Sequence, residues 1–185
     1  MAPESLVISC FTLCTVRHEM ALCLAEMRIP DSWLAAGVVR NTIWDALHQK
    51  PDWTPLTDID VIYHDPTDIK RDREIYIHDE LSRRFPRENF SVKNQARMHV
   101  KHGHPPYPNS HAAVSCWTET CTAIGIARQE GCWQVLAPYG CADLLDLVVR
   151  PTFNSDHYRG LVAGRARSKR WLENWPKLRL LISQD

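Results

Sequence analysis

Asp58-Ile59-Asp60-Val61-Ile62-Tyr63 sets two aspartates one residue apart inside an apolar run. Alternate residues of a strand point to the same face, so the two carboxylates project together, less than about 7 Å apart. Held that close they repel unless a cation lies between them. Hard oxygen ligands of this kind suit Mg²⁺ or Mn²⁺, and Mg²⁺ completes its shell with water and substrate phosphates. Upstream, Trp33-Leu34-Ala35-Ala36-Gly37-Val38-Val39 reads as a short apolar strand with a glycine near its end. Asn41 stands as the N-cap of a helix carrying Ile43, Trp44 and Leu47. A glycine-bearing turn into a helix N-terminus is an anion site, because its N–H groups and the helix dipole favour phosphate. A phosphate cradle followed by metal carboxylates points to nucleotide chemistry.

The 185 residues suit one domain spanning 1–185. Residues 1–16 are read as either a packed helix or a mobile lead-in; their apolar stretch lacks a basic region and a cleavage site, which argues against a signal peptide. It is also too short to span a bilayer, so no membrane partner is expected. Lys plus Arg and Asp plus Glu are balanced at 22 each, so no global charge drives the chain onto a polyanion. Seven cysteines without CxxC pairs read as reduced thiols and a cytoplasmic setting.

Outward from the aspartates, Val16 to Met27 reads as a helix ended by Pro30. Asp68–Phe85 reads as an amphipathic helix with Ile77, Leu81 and Phe85 on one side. Asn89–Asn94 reads as a strand, Gln95–His102 is ambiguous, and the prolines from His104 to Ser110 impose irregular backbone. A helix around His111–Glu119 precedes two strands, Ala123–Ala127 and Trp133–Leu136, joined through Glu130-Gly131 as a hairpin. Leu144–Arg150 reads as a strand, and Tyr158–Leu181 as one basic, Trp-containing helix. The expected fold class is α/β (α+β), a small mixed β-sheet flanked by helices.

Several strings resemble the nucleotidyltransferase superfamily and, within it, a group of small, mostly bacterial nucleotidyltransferase family proteins. They are Gly37-Val38-Val39-Arg40-Asn41-Thr42-Ile43-Trp44-Asp45-Ala46-Leu47-His48, Asp58-Ile59-Asp60 and Asn94-Gln95-Ala96-Arg97-Met98-His99. Glu119 to Gly125, Ala137-Pro138-Tyr139-Gly140, Asp143 to Asp146, Arg150-Pro151 and Lys169 to Pro176 extend the match over about residues 17 to 180. The resemblance implies the nucleotidyltransferase fold and a three-carboxylate site that moves a nucleotidyl group from an NTP to an acceptor. Asp58 and Asp60 would hold the metal. The usual serine after the glycine is Val38 here, so Arg40 and Asn41 are assigned to the triphosphate beside Gly37, with Arg40 as a bidentate clamp. Asn94 and Arg97 are assigned to substrate. No acid lies in Phe90–Asn94, leaving Asp143, Asp146 and Glu119 as candidates for the third carboxylate, with Asp143 favoured.

Plainer readings stand beside these. Arg40 and Arg97 could neutralise the aspartates without metal, and Asn94 and Gln95 could only satisfy backbone groups. His99, His102 and His104 lack a zinc-site geometry. The run from Arg159 to Arg170 reads first as a solvated face and second as an RNA-backbone contact. The expected partners are an NTP and an unidentified acceptor, RNA being allowed but not favoured. The competing classes are a non-catalytic nucleotide- or RNA-binding module and an interaction protein on a degenerate fold.

Overall fold

The computed structural model describes residues 2–182. It begins with helices α1 (Pro3–Thr12) and α2 (Thr15–Glu26). Pro3 occupies the first turn of α1, where its missing N–H costs nothing. Val7 and Phe11 are fully buried, so the segment read as packed helix or mobile lead-in is a packed helix. Strand β1 (Trp33–Ala35) leads into α3 (Gly37–Leu47); β2 (Ile59–Tyr63) crosses through α4 (Arg71–Arg84) to β3 (Phe90–Asn94). The ambiguous stretch is helix α5 (Gln95–His102), and α6 (Ser110–Val114) follows the prolines. Then come β4 (Gly125–Gln129), β5 (Cys132–Leu136), α7 (Ala142–Leu145), β6 (Val148–Val149), α8 (Asp156–Ser168), α9 (Trp171–Asn174) and β7 (Arg179–Leu180).

The main sheet has five strands in the order β3-β2-β1-β4-β5. β2 and β3 run parallel, as their helical crossover requires. β1 pairs antiparallel with both β2 and β4, so the fold is mixed α/β. Glu130 (φ 51°) and Gly131 (φ 80°) turn β4 into β5; positive φ at both turn positions suits the twist of a two-residue hairpin. Gly125 sits in a close strand contact, where a Cβ would lie a tight 3.3 Å from the Cβ of Trp33.

Alternation along β2 sorts its side chains. Ile59, Val61 and Tyr63 join Phe11, Leu24, Leu34, Ile43, Ile77 and Leu81 in the main core. Ile62 faces the other way, into a smaller cluster with Trp33, Ala35, Val114, Ala123 and Leu136. Asp60 shares the face of Ile62, two residues away. One face of the sheet is thus fully packed, and the other is only partly filled beside the aspartates. Each fully buried Ile or Leu contributes roughly 1.5–3 kcal/mol to that packing.

Several expectations fail. The strand expected over 33–39 ends at Ala35, and Asn41 is not an N-cap: α3 starts at Gly37 behind Ala36, which places Asn41 inside the helix. The helix expected around His111–Glu119 stops at Val114. The tail is not one helix from Tyr158 to Leu181: it stops after Ser168, turns at Arg170 with φ 51°, resumes as α9 and ends before Pro176, which cannot continue a helix. Leu144–Arg150 is mainly the end of α7 and a two-residue strand, because Leu147 takes φ 59° and breaks any extended run.

Candidate active site at the carboxylates of the second strand

Asp58 is exposed at the lip of β2 and Asp60 is half-buried within it. Burial first, then the charge of Asp58, raise the Asp60 carboxyl from its ordinary 3.8 to about 6, while Lys169, Arg40 and Arg165 pull it down. Two carboxylates therefore strain against each other, with cations arranged around them. This is the electrostatic condition a divalent cation relieves. Among the described residues no three His, Cys, Asp or Glu side chains group to hold a metal. Two carboxylates nonetheless fit Mg²⁺, whose remaining positions belong to water and phosphate oxygens.

Each aspartate opens onto a different cavity. The Asp60 cavity, about 460 Å³, is lined by His102, His104, Trp117, Glu119, Tyr158 and Arg165 among others. The Asp58 cavity, about 280 Å³, includes Gly37, Asn41, Thr57, Lys169 and Arg170. The first N–H groups of α3 have no intrahelical partner, as at any helix start. The residue bent to begin that helix is Ala36, at φ 54° and ψ −121°, a conformation that favours glycine. Ala36 is held there by its N–H bond to the Ile124 carbonyl at 2.9 Å and by its carbonyl, which accepts from the Arg40 N–H at 2.9 Å. The strain sits one residue before the glycine that drew attention in the sequence.

Arg40 is not an open phosphate fork. It is 3% exposed, and its guanidinium carbon lies 4.9 Å from the Trp44 ring and 4.4 Å from the Trp171 ring. Nη1 donates to Thr122 Oγ1 at 2.7 Å, and Nε and Nη2 donate to Asn41 Oδ1 at 3.2 and 2.9 Å. Burial lowers its pKa. Arg40 instead supplies fixed positive charge near Asp60 and orients Asn41 through its Oδ1.

Asn94 and Arg97, assigned to substrate from the sequence, belong to the scaffold. Asn94 is fully buried. Its Oδ1 accepts from the N–H groups of Asp65 and Ala96 at 3.1 and 3.0 Å, and its Nδ2 donates to the carbonyls of Asp65 and Asp68 at 2.8 and 3.0 Å. It caps α5 and ties the loop after β2. Arg97 grips buried Glu74 bidentately, at 2.9 and 2.6 Å, and Glu74 also accepts the Asn94 N–H at 2.7 Å.

Asp143, the favoured third acid, is engaged elsewhere. It accepts from Thr120 Oγ1 at 2.6 Å and pairs with Arg150 at 2.9 Å, and it lines neither aspartate cavity. Asp146 is exposed at the end of α7. Glu119 is the acid that shares the Asp60 cavity. It is fully buried, Arg165 Nε donates to its Oε1 at 2.5 Å, and its Oε2 is buried with no partner. An isolated bridge between Glu119 and Pro151 holds its backbone. The family resemblance had placed it among three candidates for the third acid, behind Asp143.

The histidines near the cavity organise around Tyr107 rather than a metal. His104 Nδ1 lies 2.6 Å and His102 Nδ1 3.3 Å from the Tyr107 hydroxyl, and His64 Nε2 lies 2.7 Å from its carbonyl. The basic run from Arg159 to Arg170 does not simply face solvent, since Arg165 of α8 and Lys169 just after it direct charge onto Asp60.

A family model described as nucleotidyltransferase matches residues 23–180. A solved structure described as revealing a CCA-adding enzyme head domain is 32% identical, with a TM-score of 0.78 over 94% of this chain and 93% of that one. A second, described as a tRNA-processing enzyme in an apo form, is 18% identical with a TM-score of 0.53 over 87% of this chain. This chain spans 44% of the latter's length, and at that identity the likeness concerns the fold alone. No curated protein matches.

Proposed function

The chain belongs to the nucleotidyltransferase family, and from that premise we propose that it is a metal-dependent enzyme transferring a nucleotidyl group from an NTP to an acceptor hydroxyl or phosphate. The observation that carries this reading is Asp60: a carboxylate driven to about 6 by burial and by Asp58, in a ring of Lys169, Arg40 and Arg165, with an acid-bearing cavity beside it.

Asp58 and Asp60 would hold Mg²⁺, which would supply positive charge against the phosphate oxygens. The Asp58 cavity takes the triphosphate, bound by the first-turn amides of α3, Asn41, Lys169 and Arg170. The acceptor occupies the Asp60 cavity, between Trp117, Tyr158 and the histidines. Its oxygen attacks the α-phosphorus, the bond to the pyrophosphate oxygen breaks, and Glu119 receives the acceptor proton. Lys169 and Arg170 neutralise the departing pyrophosphate. The likeness to a CCA-adding enzyme head domain puts an RNA end among the acceptors to screen beside small hydroxyl compounds.

The test is thermal shift with each NTP, with and without Mg²⁺, on the wild type and on Asp58→Ala/Asp60→Ala. Stabilisation that needs Mg²⁺ and disappears in the double variant is expected. Stabilisation indifferent to metal would replace the enzyme with a nucleotide-binding module, and no shift with any NTP would replace it with an interaction protein.

A further inference from the structure

Away from the aspartates, the sheet ends at β3, and no other strand pairs with its outer side among the described residues. Along that edge runs a groove of about 420 Å³. Its floor is the consecutive run Phe90, Ser91, Val92 and Lys93, which places backbone, not one face of side chains, on display. The walls are Arg71, Glu74, Ile75 and His78 of α4 and Arg97, Met98 and Lys101 of α5. The ladder to β2 fixes which groups point outward. Ile59 N–H donates to the Asn89 carbonyl at 2.8 Å, while the Asn94 N–H turns away from β2 to Glu74. By alternation the N–H and C=O of Val92 also face the groove, offering one donor and one acceptor to an added strand.

Outside one ion pair, the groove carries charge of one sign. Arg97 is neutralised by Glu74, but among the described residues no ion pair occupies Arg71, Lys93 or Lys101, and all three are exposed. The chain as a whole is neutral, so this concentration of cations is local. We propose that the groove takes an acidic, extended segment of a partner protein, which adds as a strand to β3 and sets its carboxylates against Arg71, Lys93 and Lys101. Alternating donor and acceptor groups suit a peptide, whereas a phosphate backbone offers acceptors only. The lining offers no large exposed aromatic platform for base stacking: Phe90 is 4% exposed, and the one other ring is the His78 imidazole. A second copy meeting edge to edge would bring the same cations together.

The probes are a short fluorescein-labelled peptide alternating glutamate and valine, its lysine–valine counterpart, and a single-stranded oligo-uridylate. Anisotropy titration is expected to show binding of the acidic peptide alone, weakened roughly tenfold by Lys93→Glu/Lys101→Glu and by raised salt. Both lysines are exposed, so an unchanged melting temperature verifies the fold of the variant. In the wild type, the bound peptide should slow hydrogen exchange at the Val92 amide. Preferential binding of the oligonucleotide, peptide binding that leaves Val92 exchange unchanged, or no binding by any probe would each overturn the proposal.

Discussion

Replacing Asp60 with asparagine should make the protein more stable while destroying its activity. In the folded chain the Asp60 carboxyl titrates at about 6 instead of 3.8, chiefly through burial and then through Asp58. Each tenfold change in proton affinity corresponds to about 1.4 kcal/mol, so the ionised form is disfavoured by about 3 kcal/mol. Asp60 is only half-buried, and solvent screening reduces this to about 1–2 kcal/mol. The sign follows from proton binding. The folded state holds this proton more tightly than the unfolded state, so stability is fully present below 3.8 and is lost as pH rises through about 6. Asparagine never ionises. Urea unfolding without metal or nucleotide should therefore show Asp60→Asn more stable than wild type at pH 7.5. The gap should close as pH falls below the unfolded value. A variant no more stable at pH 7.5, or a gain independent of pH, would refute the electrostatic argument. Mg²⁺ with NTP should stabilise the wild type and leave the variant unmoved, which would identify the strain as a cost of function.

Three further outcomes are expected. Ala36→Gly should raise stability by about 1 kcal/mol in chemical denaturation, because it relieves a positive φ that alanine tolerates poorly. Glu74→Gln should cost about 3 kcal/mol in the same assay, since it leaves Arg97 without its bidentate partner and weakens the hold on the Asn94 N–H. Glu119→Gln should lower kcat by about 10²-fold or more, with KM little changed, in a steady-state assay once an acceptor is found; an equal rise in KM would recast Glu119 as a binding group.

The aspartate strand, the α4 amphipathic helix and the β4–β5 hairpin were legible from the sequence, because each rests on short-range periodicity or turn chemistry; the α3 entry was placed too late, because Val38 and Val39 are apolar enough to extend a strand. Asn94 and Arg97 looked like ligands because polar residues in a distinctive string invite that reading. Only the fold brings Glu74, twenty-three positions before Arg97, into contact with both. Glu119 stood among the three candidate acids but was ranked behind Asp143. It closes the stretch read as a helix, and only tertiary folding decides which acid shares the Asp60 cavity. The tail was misread because basic and aromatic spacing persists through Arg170, where the backbone reverses.

The Arg40 sandwich has a consequence for the order in which the molecule assembles. Trp44 lies in the same helix as Arg40, but Trp171 belongs to α9, far along the chain. The strand that bears Asp58 and Asp60 can pair with β1 and β3 as soon as those segments exist, yet the cation near Asp60 acquires its second aromatic wall only when α9 docks. During synthesis the aspartates are thus present long before the surroundings that set their charge, and nucleotide affinity should emerge late, as α9 closes over a sheet already formed.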